Sequence, residues 1–203
     1  MFIYRTILDA CSEILIQLFT IECKIFIKGV KTMVNNLSVE DSAEIVKCSE
    51  DFSYFAKTYL NLFTDIDITT FQSVTDAVKD YTDEEMIALL IWQCVFQNHK
   101  RLCIASTSQN HSKQYLNQVV DKCLSLPTPF APEVKNRLQL STEFQNGNRI
   151  QIVTCHPDSL RGMHVCTLII FESYNIPLTI LQKMLNGCLP IFQSSASSKL
   201  IMV

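Results

Sequence analysis

At 203 residues, 48% apolar and 18% charged, the chain is long enough to bury a sizeable core and lacks the composition of a disordered protein. Its net charge of −3 gives no overall attraction for nucleic acid, so any such contact must come from a local patch. The nine cysteines are odd in number and include no Cys-x-x-Cys pair, and the histidines stand at no metal-ligand spacing from them. Buried, reduced thiols in an intracellular protein are the expectation, with no metal site.

Residues 1–32 are apolar, but Arg5, Asp9, Glu13, Glu22, Lys24 and Lys28 interrupt them. No uncharged run reaches the roughly 18 residues of a membrane span. Ile3, Ile7, Cys11, Ile14, Leu18 and Ile21 recur near helical spacing, so an amphipathic helix is predicted rather than a signal peptide. The chain thus divides into an N-terminal helical extension, 1–37, and one domain, 38–203.

Ser38 and Ser49 are expected to cap two successive helices, the second presenting Phe52, Phe55, Tyr59 and Leu62 as an aromatic core face. Asp83, Glu84 and Glu85 suit the first turn of a helix over 83–97, whose buried stripe is Ile87, Leu90, Ile91, Cys94 and Val95. Arg101–Thr107 reads as a strand ending in hydroxyl residues. A helix over about 109–124 follows, capped by Ser108 and stopped before Pro127, Pro129 and Pro132. Arg137–Phe144 and Arg149–Thr154 flank Asn146-Gly147, a hairpin signal because both turn residues tolerate positive φ. A helix over 178–188, stopping near Gly187, precedes a strand at Lys199–Val203.

The stretch that organises these elements is Val165–Tyr174. Its apolar residues run without alternation, as in a strand buried on both faces, and end at one carboxylate, Glu172. The expected fold is therefore α/β, a three-layer, mostly parallel sheet with Val165–Phe171 at its centre, helices on both faces and the Arg137–Thr154 hairpin at an edge. His156 and His164 read as loop and edge residues. Ser106, Thr107 and Ser108 lack the elbow that would make one of them a nucleophile.

The order of motifs resembles the ATPase domain of the large terminase subunit, the DNA-packaging motor of tailed phages and herpesviruses. The resemblance covers roughly residues 41–203. It is carried by Glu44, Cys48, Asp51, Tyr54 and Phe55, similar to the family's opening motif, and by Phe71-Gln72, similar to its adenine-contacting segment. It continues through Asn146-Gly147, the His156–Gly162 loop with Pro157, Arg161 and Gly162, and the Walker B-like strand Leu168–Glu172. The resemblance implies a P-loop NTPase fold, ATP and Mg²⁺ as ligands, and dsDNA, the portal and the small terminase subunit as partners. It also implies that Glu172 is a relic catalytic carboxylate and that Gln72 and Arg161 are relic nucleotide contacts, in the host cytoplasm.

The departures are equally specific. The four glycines are Gly29, Gly147, Gly162 and Gly187, so none lies where a P-loop would have to wrap phosphate. Asp83-Glu84-Glu85 puts three acids there instead, and no Gly-Lys-Ser/Thr occurs. Phe171 stands where the family places its metal-binding Asp. The expectation is a degenerate or fragmentary terminase ATPase-domain protein lacking the coupling motif and the nuclease domain, or an inactive homologue acting as an interaction module.

Overall fold

Side chains that alternate between the two faces of each strand explain the architecture of the computed structural model, which describes residues 39–64, 66, 81–156, 158–193 and 198–203. Among the described residues three helices come first, α1 (Val39–Glu50), α2 (Phe52–Leu60) and α3 (Asp83–Phe96). Strand β1 (Arg101–Ala105) and helix α4 (Gln109–Ser125) lead to β2 (Val134–Leu138), β3 (Ser141–Phe144) and β4 (Arg149–Ile152). Then come β5 (Thr167–Ile170), a 3₁₀ turn at Ser173–Asn175, α5 (Leu178–Gln193) and β6 (Lys199–Met202). The residues from Ala43 to Val203 pack as one unit. The extension expected at residues 1–37 and the Ser38 cap lie outside the described residues.

The six strands form one sheet in the order β2-β3-β4-β1-β5-β6. β1 pairs in parallel with β4 and with β5, and β5 in parallel with β6, while β2, β3 and β4 are antiparallel neighbours. Leu102 and Ile104 of β1, with Ile169 of β5 and Ile201 of β6, face a core filled by α2, α3 and α4. Cys103, Ala105, Leu168, Ile170 and Leu200 face a second core against Met184, Cys188 and Phe192 of α5. Helices therefore cover both faces, as expected of a mainly parallel sheet.

Several expectations are corrected. β5 is buried on both faces, but it stands one strand from the edge; β4 and β1 are the middle pair. The Arg137–Phe144 segment is broken by a turn at Gln139-Leu140 into β2 and β3, and β4 bonds directly to β1. The hairpin is thus built into the sheet, with only β2 at its edge. The cap of α2 is Asp51, which accepts from Tyr54 N at 2.9 Å, whereas the Ser49 hydroxyl donates back to Val46 O within α1. Helix α5 continues past Gly187 and Pro190 to Gln193, because Cys188 and Phe192 are buried in the second core. Helix α3 is buried nearly all round from Met86 to Cys94 rather than along one stripe.

The opening motif has an architectural explanation. Glu44 Oε1 accepts from Tyr54 Oη at 2.9 Å and Tyr59 Oη at 3.2 Å, Asp51 caps α2, and Phe55 is fully buried against Phe96. Burial and then Glu44 push the Tyr59 hydroxyl up to about 12. Of the cysteines among the described residues, five are buried, Cys155 and Cys166 are half-buried, and all are reduced. Among those residues no helix is long and apolar enough to cross a membrane.

The C-terminal end of α3 is closed by the hairpin tip. Asn148, fully buried, donates through Nδ2 to the carbonyls of Gln93 (3.1 Å), Cys94 (3.0 Å) and Gln97 (2.6 Å), and its Oδ1 accepts from Lys100 N at 2.8 Å. Gly147 carries φ +81 and lies so close to His99 that a Cβ would sit 2.3 Å from its Nδ1. Asn148→Ala leaves the Lys100 N–H without its partner and takes one donor from each of three carbonyls, which keep Gln97 N or Asn146 Nδ2, a loss of about 1–3 kcal/mol. We expect the variant to lose roughly 2 kcal/mol in urea unfolding with an unchanged m-value; a loss under about 1 kcal/mol would show that water replaces the side chain.

Candidate functional site at the carboxyl ends of the parallel strands

The chain leaves β1 into α4 on one face of the sheet and leaves β5 toward α5 on the other. A crevice necessarily opens where neighbouring strands send their connections to opposite faces, and in open α/β sheets ligands bind there. Here it is a cleft of about 220 Å³ lined by Ser106–Gln109 after β1, Thr154 and Cys155 after β4, and Asn175–Pro177 with Ile180 after β5. The Cys155 thiol donates to Ser106 O at 3.2 Å, and burial pushes its pKa up, so it is a poor nucleophile.

Glu172 sits beside this cleft. Its Oε2 accepts from Ser106 Oγ at 2.7 Å and Thr107 Oγ1 at 3.1 Å and lies 2.9 Å from His111 Nδ1. The bond to His111 and then that to Ser106 hold its carboxyl below the usual range, against a smaller opposing effect of burial. A carboxylate so stabilised is a weaker proton acceptor than a free one. Its backbone adopts φ +52 and ψ 36, a left-handed conformation that costs a non-glycine residue about 1–2 kcal/mol.

The preceding residue points the other way. Phe171 is fully buried in the helix-covered core and stacks on Tyr115 of α4 with ring centroids 4.1 Å apart and planes at 13°. Tyr115 Oη in turn donates to Asp83 Oδ2 at 2.6 Å, at the start of α3. The α3 N-terminus is further closed by a capping box, with Thr82 N donating to Glu85 Oε2 at 2.9 Å and Glu85 N to Thr82 Oγ1 at 3.3 Å.

Of the residues singled out in the sequence that the structure describes, Glu172 joins this site and Arg161 does not. Arg161 is on the exposed loop after β4, its Nε 2.7 Å from Asp158 Oδ1, an exposed pair of small energetic consequence. Gln72 lies outside the described residues. His111 was missed, although its position three residues after the Ser108 cap places it in the helix turn that follows β1, beside the end of β5. His156 and His164 are exposed loop residues, as expected.

At the end of β5 the described residues supply one carboxylate, Glu172, beside the buried apolar ring of Phe171, a pair that does not fit the two-carboxylate end of an Mg²⁺-binding strand; among the described residues no cluster of three or more metal-ligating side chains exists.

The structure is similar to the large terminase ATPase domain of Thermus phage P74-26, with a TM-score of 0.51 and 14% identity over 73% of this chain and 67% of that one. It is also similar to the large terminase from a thermophilic bacteriophage, with a TM-score of 0.47 and 13% identity over 75% of this chain and 38% of that one. For the same bacteriophage protein in complex with ADP the TM-score is 0.46 at 10% identity. This chain therefore spans about two thirds of the first structure and well under half of the second. No family model and no curated protein matches the sequence. The likeness is one of fold, a mixed α/β sheet covered by helices like that of the terminase ATPase domain.

The depressed Glu172 carboxyl contributes stability at pH above the ordinary glutamate value of 4.5, and that contribution is lost as pH falls through the folded value below it. In Glu172→Gln the loss of unfolding free energy between neutral pH and acid should be shallower than in the wild type, measured by urea titrations across that range. Identical slopes would show that Glu172 is not held by His111 and Ser106 in solution.

Proposed function

We propose that this chain is a terminase-type ATPase-domain protein of the dsDNA-packaging machinery in which nucleotide chemistry has been lost, and that it acts there as a structural or interaction module. Its expected partners on this reading are dsDNA, the portal and the small terminase subunit, inside the infected host cell. The observation that carries the loss of chemistry is the burial of Phe171 against Tyr115. Where a metal-shell acceptor would have to face a phosphate, this side chain is part of the core.

Two further features support the reading. Asp83 and Glu85 at the start of α3 are engaged by Tyr115 and by the Thr82 cap, and with Glu84 they put negative charge at a helix end that would otherwise favour an anion. Phosphoryl transfer relies on positioning and charge stabilisation, and removing one such donor costs on the order of a hundredfold or more in rate. Glu172 alone cannot orient a water toward a γ-phosphate that nothing among the described residues holds.

The purified chain should release no phosphate from ATP above buffer, with or without Mg²⁺, and calorimetry should detect no tight ATP binding. Phe171→Asp should not restore hydrolysis and should destabilise the fold by several kcal/mol, since about 1.5–3 kcal/mol of burial is exchanged for a buried carboxylate. Mg²⁺-dependent hydrolysis by the wild type that disappears in Glu172→Gln would overturn the proposal.

A further inference from the structure

We propose that Asn146-Gly147, at the tip of the β3–β4 hairpin, is a site of spontaneous deamidation. It reacts when the tip opens from the end of α3, and once converted the tip cannot close as before. The inference does not depend on the loss of nucleotide chemistry.

An asparagine followed by glycine is well suited to this reaction, because no Cβ shields the glycine nitrogen. The Gly147 backbone nitrogen attacks Asn146 Cγ and closes a five-membered imide. The Cγ–Nδ2 bond breaks, and the amide nitrogen leaves as ammonia with the proton that Gly147 gives up. Water then adds to one of the two imide carbonyls and opens the ring to an aspartate or an isoaspartate at this position. One water is consumed and one ammonia released, with no oxidant and no cofactor.

The closed tip holds both reacting groups. Gly147 N–H donates to Phe144 O at 3.0 Å. The Asn146 amide is fixed at both ends, its Nδ2 donating to Cys94 O at 2.7 Å and Gln97 O at 3.3 Å, and its Oδ1 accepting from Asn148 N at 3.1 Å. His99 N donates to Asn146 O at 3.3 Å, and the His99 ring lies against Gly147. Turning Cγ toward the Gly147 nitrogen breaks the side-chain bonds before a new one forms. The reaction therefore draws on the opened population, as the exchange of a protected amide proton does.

The product does not fit the closed tip. The carbonyls of Cys94 and Gln97 take donors from Asn146, and a carboxylate offers them lone pairs alone. It also sets a negative charge at the carboxyl end of α3, where the helix already carries partial negative charge. An isoaspartate adds a methylene to the main chain and displaces Asn148, which holds the same two carbonyls. One opening of the tip is thereby recorded permanently.

The other Asn-Gly pair of the chain, Asn186-Gly187, lies inside α5 and is held by helical backbone instead of a side-chain latch. It serves as an internal comparison. The test is peptide mapping by mass spectrometry of the full chain aged at mildly alkaline pH, folded and in urea, with isoaspartate scored at each pair. In urea both pairs should convert at similar rates, and in the folded chain Asn146 should convert at least about tenfold more slowly. Asn148→Ala, which loosens the tip without altering the reacting pair, should raise the folded rate at Asn146 severalfold and leave Asn186 unchanged. Wild type in urea short of its unfolding transition gives the same reading without a substitution, conversion at Asn146 rising there too. The converted chain, separated by ion exchange through its added charge, should unfold at a lower urea concentration than the original, as should Asn146→Asp. Equal rates at Asn146 in the folded and unfolded chain, no acceleration there in either loosened state, or a converted chain as stable as the original would each overturn the proposal.

Discussion

The buried amide of Asn148 is the constraint on which the rest of the described structure depends. A helix ends with carbonyls that have no partner in the helix, and those of α3 end inside the protein. Asn148 supplies the donors for Gln93, Cys94 and Gln97 while its oxygen takes the N–H of Lys100, so helix end, hairpin tip and the lead into β1 form one unit. Asn146 adds bonds to the carbonyls of Cys94 and Gln97. The register of Arg101 with Arg149 follows directly, because both strands start from the same anchored point. That register brings Thr154 and Cys155 to the cleft at one pole and aligns two arginines at the other.

The cleft illustrates how topology and chemistry separate. Topology supplies the crevice, since the connections after β1 and β5 leave for opposite faces. Chemistry depends on what is held there, and one oxygen of Glu172 is engaged by two hydroxyls and an imidazole. Those bonds offset the cost of its left-handed backbone and lower its basicity together. A carboxylate arranged in this way is well ordered and poorly suited to abstract a proton.

Much of the fold was legible in the sequence, for identifiable reasons. The α/β class, the two-faced burial of β5, and helices α3 and α4 with their acids and Ser108 cap follow from local pattern and propensity. Strand order did not, because no local signal states that β4 would pair with β1 and leave β5 beside the edge strand. The Gln139-Leu140 turn carries no glycine, proline or aspartate, so the β2–β3 break was invisible. Helix α5 passed two breakers because the packing of Cys188 and Phe192 outweighs the intrinsic preference of Gly187 and Pro190. At the site, Glu172 was found through the abrupt end of an apolar run. His111 sits on a polar helix turn with no pattern of its own, and only the adjacency of β1 and β5 gives it a partner.

Two departures from the terminase pattern that look independent in the sequence meet in the structure. Phe171 stands at the end of β5, and Asp83 begins the acidic turn of α3, far away in the chain. Tyr115 joins them, stacking on the phenyl ring with its face and donating to the carboxylate with its hydroxyl. Burial and then Asp83 push that hydroxyl well above the usual tyrosine range, so the proton stays on the oxygen and the bond persists across ordinary pH. A metal-binding acid at the strand end would have to displace the ring from Tyr115. An open phosphate cradle at the helix start would have to break the bond to Asp83. One packed triad thus ties the end of β5 to the start of α3, so a change at either residue is felt at the other through Tyr115.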